Sequence, residues 1–180
     1  LLLIEGRSPI RRITGRLLDK GYTKLAFLGD VRYALTNTDR YQGFLDAFAD
    51  RGLTPDPELS FTGSLGLRTH YEEISRFLDC LPFLPDGFVC VSDFIAHFVQ
   101  RYCEEHGIDR EGRIALTGFD NSAEYLNVAK RITTVDVRPR TLGTRLASKI
   151  LFLLDHPDLA QEVSYVHAEI IYRGVLADRS

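Results

Sequence analysis

Short apolar runs alternate with amphipathic stretches along the whole chain. Ser8-Pro9 reads as an N-cap and first helical residue; Ile10, Ile13, Leu17 and Leu18 then recur at helical spacing, and Gly21 closes that helix. Residues 24–29 (KLAFLG) form a compact apolar run between turn signals, the pattern of a buried strand. A helix follows over 39–51 with Phe44, Leu45, Phe48 and Ala49 inward, ended by Gly52. The proline-bearing stretch 53–59 is a loop feeding a short strand near 59–61.

The alternation continues. The spacing of Tyr71, Ile74, Phe77, Leu78 and Leu81 predicts a helix over 67–81, broken by Pro82 and Pro85. Residues 87–91 (GFVCV) are a second buried strand, and Asp93 is the simplest N-cap for the helix that runs to Gly107. Strand 113–117 ends in Gly118-Phe119-Asp120-Asn121, a short helix is expected over 123–128, and 132–137 is extended. Helix 142–154 is stopped by His156-Pro157, and 163–171 alternates as an edge strand. Strands alternating with helices of this length imply right-handed crossovers, hence an α/β fold: a parallel sheet with helices on both faces.

In such a sheet, ligands bind at the edge formed by the C-terminal strand ends. Thr36 and Arg40 follow the first strand of that edge, Phe61 lies in the next extended segment, Ser92 follows the strand at 88–91, and Asp120 follows the one at 114–117. A cation, a carboxylate, hydroxyls and a flat ring suit a polyol or heterocycle better than a metal. Each residue has a plainer reading as well. Arg40, at a helix start where the dipole prefers anions, is a bidentate grip on ligand or a surface ion pair. Asp120 is a hydroxyl acceptor or a turn residue. Ser92 faces the crevice if Asp93 is the cap, Thr36 sits in a Thr-Asn-Thr loop where hydroxyls are usually solvated, and Phe61 is a stacking plate or core.

Composition narrows the function classes. The 180 residues are 44% hydrophobic and 26% charged, ordinary for a globular protein. A net charge of −3 argues against this segment being itself a nucleic-acid surface. No apolar run is long enough to span a membrane. The first residues, apolar and without an initiator methionine, read as the interior of a longer polypeptide. Cys80, Cys90 and Cys103 have no metal-ligand spacing and read as reduced, mostly buried residues of a cytoplasmic protein. Dinucleotide, P-loop, zinc-protease and nucleophile-elbow signatures do not occur, so neither a cofactor nor a catalytic residue is expected.

Taken in order, several segments carry a resemblance. They are Leu17-Leu18-Asp19-Lys20-Gly21-Tyr22 running into Leu28-Gly29, Arg40-Tyr41-Gln42-Gly43-Phe44, Pro85-Asp86-Gly87 running into Ser92-Asp93, Gly118-Phe119-Asp120-Asn121, and Ile132-Thr133-Thr134-Val135 before Leu142-Gly143. The chain resembles the effector-binding core of LacI/GalR-family transcription repressors from about Pro9 to Arg173. The resemblance implies a periplasmic-binding-protein-like fold, truncated at the N-terminus, that controls operator DNA binding through a helix-turn-helix preceding this sequence. It implies four parts: a crossover strand from a missing N-terminal subdomain at 1–7, the C-terminal effector-binding subdomain at 8–135, a crossover and return helix at 136–158, and a final strand and tail at 159–180. Arg40 then takes the effector-gripping position and Asp120 the hydroxyl-accepting one. Thr36 and Phe61 fall where a small hydroxyl and a stacking ring often contact ligand. Ser92 stands where sugar-responsive members often carry Asn. A sugar-like effector and a homodimer through 93–100 and 125–130 are expected. A transport receptor and an enzyme on a doubly wound sheet are the alternatives.

Overall fold

The structure, a computed structural model, describes residues 1–65, 70–108, 112–159 and 163–177. The strands are β1 (Leu2–Ile4), β2 (Leu25–Leu28), β3 (Gly87–Cys90), β4 (Ala115–Thr117), β5 (Thr134–Asp136), β6 (Ser164–Val166) and β7 (Glu169–Ile171). The helices are α1 (Arg7–Asp19), α2 (Leu35–Ala49), α3 (His70–Asp79), α4 (Asp93–Glu105) and α5 (Pro139–Asp155).

The main sheet is parallel at its centre, with β2 against β3 and β3 against β4. Single parallel bridges extend it: Leu28 to Phe61 on one side, Thr117 to Thr133 and Asp120 to Asp136 on the other. β7 closes that side antiparallel to β5. The chain thus steps outward from β2 to the Phe61 segment, then back across β2 to β3, β4 and β5. This is the 2-1-3-4-5 order of a doubly wound sheet, with its switch point between β2 and β3. Right-handed crossovers in opposite directions place helices on both faces. Accordingly α1 packs on α2, and α3 on α4.

Every residue of β2 and β3 is buried, which is why both read as continuous apolar runs. The core gathers Ile10, Ile13 and Leu17 of α1, Phe44 and Phe48 of α2, and Ile95 and Val99 of α4. Phe27 meets Phe44 at 5.6 Å and Tyr41 at 5.0 Å between ring centroids. The α1–α2 contact is so close that a Cβ at Gly43 would lie 2.2 Å from the Arg7 carbonyl oxygen, so no larger residue fits there. Arg7–Asp46, Arg11–Asp50 and Arg51–Asp19 ion pairs run along this seam.

Several expectations are corrected. α1 starts at Arg7 on Gly6, without a side-chain cap, because Ser8 and Pro9 already lie inside the helix. α2 starts at Leu35, which moves Thr36 into its first turn and Arg40 into its second. Residues 123–128 form no helix: Val128 and Ala129 both donate to the Tyr125 carbonyl in a turn, and Lys130 is left-handed (φ 60°). The stretch 163–171 is two strands, one parallel to β1 and one antiparallel to β5. Near 59–61 there is a one-turn 3-10 helix, Pro57–Leu59, and a single bridge at Phe61. Of the helix expected over 67–81, residues 67–69 lie outside the described residues.

α5 buries no side chain at all, and Leu146, Ile150, Leu151, Phe152 and Leu154 are exposed along it.

Candidate ligand cavity

At the switch point the ends of β2 and β3 approach so closely that only glycine fits between them. Gly29 has φ +152°, and a Cβ there would stand 2.2 Å from Val91 Cγ1. Gly29 N donates to Phe61 O at 2.9 Å, and Val31 N to Thr62 O at 3.3 Å, so the three chain segments leave the sheet side by side. Beyond them opens a cavity of about 650 Å³. The segment after β2 contributes Asp30, Tyr33, Asn37 and Arg40. The segment after Phe61 contributes Ser64, Leu65 and His70, and the end of β3 contributes Val91, Ser92, Phe94 and Ile95. This is the size and mixture of a small-molecule site.

The walls are held by local bonds. Asn37 Nδ2 donates to Asp30 O at 2.8 Å and Thr38 Oγ1 to Val31 O at 2.7 Å, so the first turn of α2 pins the loop before it. Asp30 Oδ1 accepts from Arg32 N at 2.9 Å. His70 meets Phe94 edge-on at 5.1 Å, and Phe94 packs on Phe98 at 4.8 Å and on Tyr125 at 5.6 Å.

Arg40 is the unusual wall residue. It is 7% exposed. Its Nη1 donates to Val91 O at 2.8 Å, its guanidinium lies 3.7 Å above the Phe119 ring, and its buried Nε has no partner. Burial lowers its pKa, partly offset by Asp120 and Asp39. Its stem lies against the chain entering α1: a Cβ at Gly6 would be 2.8 Å from Arg40 Cγ.

Asp120 stands beyond the end of β4 with φ 105°, a rare conformation for a residue with a side chain, followed by Asn121 at φ 52°. Its own N–H donates to Val135 O at 2.9 Å. Burial pushes its carboxyl up to about 6, with Arg40 pulling the other way. Among the described residues the two charges are coupled through space without a direct ion pair, and no group donates to the Asp120 carboxylate.

Ser92 and Asp93 exchange the roles expected of them. Ser92 is the N-cap of α4, its Oγ accepting from Ile95 N at 3.3 Å, and it also lines the cavity. Asp93 is buried and ties down the loop that carries Asp120. Its Oδ1 accepts from Thr134 Oγ1 at 2.7 Å, its Oδ2 from Ser122 N at 2.8 Å, and its N–H donates to Phe119 O at 2.8 Å. Burial raises the Asp93 carboxyl, and the Thr134 and Ser122 bonds oppose that shift.

Of the five residues singled out by sequence, Arg40 and Ser92 line the cavity directly. Asp120 faces Arg40 electrostatically without being part of that lining. Phe61 is outside the lining and half-buried, its ring 5.4 Å from Phe77. Thr36 is also outside it; its carbonyl lies 3.3 Å from where a Gly6 Cβ would be. Asp30 could have been found by the same strand-end rule. His70 and Phe94 could not, since each also fits the amphipathic pattern of its helix. A separate trough of about 690 Å³ runs along α1, but its Arg7, Arg11 and Arg51 are already paired with acids. Among the described residues no group of three or more His, Cys, Asp or Glu could hold a metal, and no helix is long and apolar enough to cross a membrane.

A doubly wound sheet with a cavity at its switch point defines a small-molecule-binding α/β domain. The chain belongs to the periplasmic binding protein-like domain family, whose model matches residues 14–175. It is 27% identical over 157 residues to the HTH-type transcriptional repressor PurR of Mannheimia succiniciproducens, covering 87% of this chain and 47% of that protein. It is 28% identical over 176 residues to the HTH-type transcriptional regulator GalR of Escherichia coli, covering 96% and 50%. The chain therefore spans about half the length of the curated relatives it matches, which are transcriptional regulators of the LacI/GalR/PurR type and not enzymes. A LacI regulator structure from Bacillus cereus subsp. cytotoxis superposes with a TM-score of 0.85 at 17% identity, covering 99% of this chain and 63% of that one. The CelR–cellobiose complex gives 0.82 at 19%, covering 96% and 53%. A LacI-family regulator from Enterococcus faecium with bound ribose gives 0.80 at 17%, covering 99% and 65%.

Proposed function

We propose that this chain is the ligand-sensing domain of a LacI-type transcription repressor. It binds a small effector, a sugar or related polyol, and thereby controls operator DNA binding by a helix-turn-helix elsewhere in the protein. The observation that carries this reading is a charge pair beside the switch-point cavity: a buried Arg40 in the wall whose Nε lacks a partner, coupled through space to a partly buried Asp120 whose carboxylate accepts nothing among the described residues. A ligand hydroxyl can accept from the guanidinium, and a second can donate to the carboxylate. Each such charge-assisted bond is worth roughly 1.5–3 kcal/mol. The His70 and Phe94 rings offer an apolar face to the flat side of a sugar ring. The names of GalR and of the cellobiose and ribose complexes support the sugar class.

In this reading residues 8–135 form one lobe, closed at the end of the chain by 159–180. The segments 1–7, which contain β1, and 136–158, which contain α5, belong with a second lobe, which would cover the apolar side chains that α5 exposes. The protein acts in the cytoplasm as a homodimer. The 93–100 and 125–130 segments form the contact: His97 and Asn127 bind each other at 2.6 Å, and Leu126 projects into solvent at 84% exposure. The test is a thermal-shift screen against mono- and disaccharides, sugar phosphates, polyols and purines. A sugar hit that raises the melting temperature and disappears in Asp120→Ala supports the reading. A purine as sole hit, or a sugar hit that survives Asp120→Ala, overturns it.

A further inference from the structure

Ser92 already caps α4, yet the next residue, Asp93, is only 3% exposed. The helix dipole favours an acid at this end, but an exposed carboxylate would meet that preference equally well. Burying it costs free energy unless its oxygens are bonded. The groups that bond them lie outside α4: Thr134 Oγ1 of β5 donates to Oδ1, and Ser122 N donates to Oδ2. Gly118 passes so close that a Cβ there would stand 2.2 Å from Asp93 Oδ1.

These contacts grip one turn at both ends. The Asp93 N–H donates to Phe119 O at 2.8 Å, and its carboxylate accepts from Ser122 N at 2.8 Å. Between them lie Asp120 and Asn121, both with positive φ. Glycine adopts such a backbone without strain; other residues hold it only where their surroundings fix them. Here successive N–H groups are all committed: Asp120 N to Val135 O, Asn121 N to Thr134 Oγ1 at 3.2 Å, and Ser122 N to Asp93. The Thr134 hydroxyl thus serves twice, donating to Asp93 and accepting from Asn121. Arg173 Nη2 adds a bond to Asn121 Oδ1 at 3.2 Å. Phe119, at the gripped end, carries the Arg40 guanidinium 3.7 Å from its ring centre.

We propose that Asp93 is the positioning residue of the effector site: by clamping the turn from Phe119 to Ser122 at both ends, it fixes the ring beneath the Arg40 guanidinium and the backbone that carries the Asp120 carboxylate. Asp93 acts through these two groups and not on the ligand itself. The proposal rests on the sugar-sensing reading above and deepens it.

Three variants of the intact protein test it. In Asp93→Asn one oxygen still accepts from Ser122 N, but the new amide meets the Thr134 hydroxyl as donor against donor. Thr134→Val leaves the Asp93 charge in place and removes the hydroxyl, and Thr134→Ser keeps the hydroxyl. Each is titrated by calorimetry with glucose, galactose, ribose and cellobiose, and its amide exchange is followed by mass spectrometry. Asp93→Asn and Thr134→Val should each weaken the sugar that binds by roughly tenfold, and Thr134→Ser should recover affinity to within about threefold of the parent. In the two weakened variants exchange should quicken by about tenfold in the peptide covering 120–122, while 25–28 and 87–90 keep the parent's rate. The proposal is overturned, and the sugar reading kept, if the parent binds a sugar and either weakened variant binds it within about twofold. It is also overturned if Thr134→Ser binds as weakly as Thr134→Val, or if exchange quickens equally throughout, which marks a loss of global stability alone. If Asp93→Asn does not fold, the Thr134 pair decides; if Thr134→Val does not fold either, the proposal falls. If none of the four sugars binds the parent, the sugar reading falls and the proposal with it.

Discussion

Arg40→Met separates the two things Arg40 does. Methionine keeps an unbranched stem beside Gly6 and removes the guanidinium. The folded state then loses a charged hydrogen bond to Val91 O, worth about 1.5–3 kcal/mol, and a cation–π contact on Phe119, worth about 0.5–2 kcal/mol. It gains relief from burying a cation whose Nε has no partner, a penalty of several kcal/mol. The opposing effects are of similar size, so stability should change by less than about 2 kcal/mol in urea unfolding. Effector binding has no such compensation. Losing one or two charge-assisted bonds should weaken it roughly 10- to 100-fold by calorimetry. Asp120, now without its counter-charge, should titrate above its value of about 6. A variant that binds within about threefold of the parent, or one that does not fold, refutes the reasoning and leaves Arg40 a structural residue.

Gly29→Ala should destabilise the fold by about 2–4 kcal/mol, because the new methyl strikes Val91 in a left-handed backbone; Val91→Ala should restore part of that in a double-mutant cycle. Asp120→Asn should show the cost of a partly buried ionised carboxylate. A folded pKa raised to about 6 means the wild type loses stability as pH rises from about 4 through 6, so the variant should be more stable by about 1–3 kcal/mol at pH 7.5 and equal near pH 4, measured by urea unfolding across pH. Effector affinity of the wild type should in turn fall as pH drops through 6, where Asp120 takes up its proton. Gly6→Ala should weaken effector binding several-fold with little loss of stability, since its φ of −110° suits alanine and the clash falls on Arg40 Cγ; unchanged affinity would falsify that coupling. Leu151→Lys with Leu154→Lys should reduce self-association of the chain in light scattering without changing its circular dichroism, because both side chains are more than half exposed.

The architecture was legible because strands buried on both faces and one-sided helices leave different periodicities, and these alternate cleanly through β4. Failures came where one local pattern serves two structures. Alternation over 163–171 suits one strand or two, and only pairing with β1 and β5 separates them. Tyr125 and Val128 have helical spacing, yet consecutive left-handed residues at Asp120 and Asn121, and another at Lys130, turn the chain instead. Ser92 and Asp93 are equally good caps by type. The choice is made at a distance, by Thr134 Oγ1 and Ser122 N, which draw Asp93 into the interior and leave Ser92 the end of α4. The strand-end rule brought Arg40 and Ser92 to the cavity because strand ends are fixed by the sheet. It gave no access to His70 or Phe94, whose helices carry apolar faces for packing and show the cavity only a part of them.

The position of Arg40 suggests how a ligand in the cavity reaches the rest of the molecule. The side chain touches the end of β3 through Val91 O, the end of β4 through Phe119, and the crossover from β1 to α1 through Gly6. That crossover is itself tied to the next one: Glu5 N donates to Val166 O at 3.0 Å, and His167 Nδ1 lies 2.7 Å from Glu5 Oε2. Arg138, in the left-handed region at the start of α5, pairs with Glu169 where β7 begins. Ligand binding shifts an equilibrium only through unequal affinity for its two states. An acceptor bound at Nε holds the guanidinium in one place, and with it the stem on which the Gly6 crossover rests. Crossover positions compatible with that placement bind ligand better than those that are not, which is the inequality a sensor needs. It follows from one buried side chain shared between the cavity wall and the segment that joins β1 to α1.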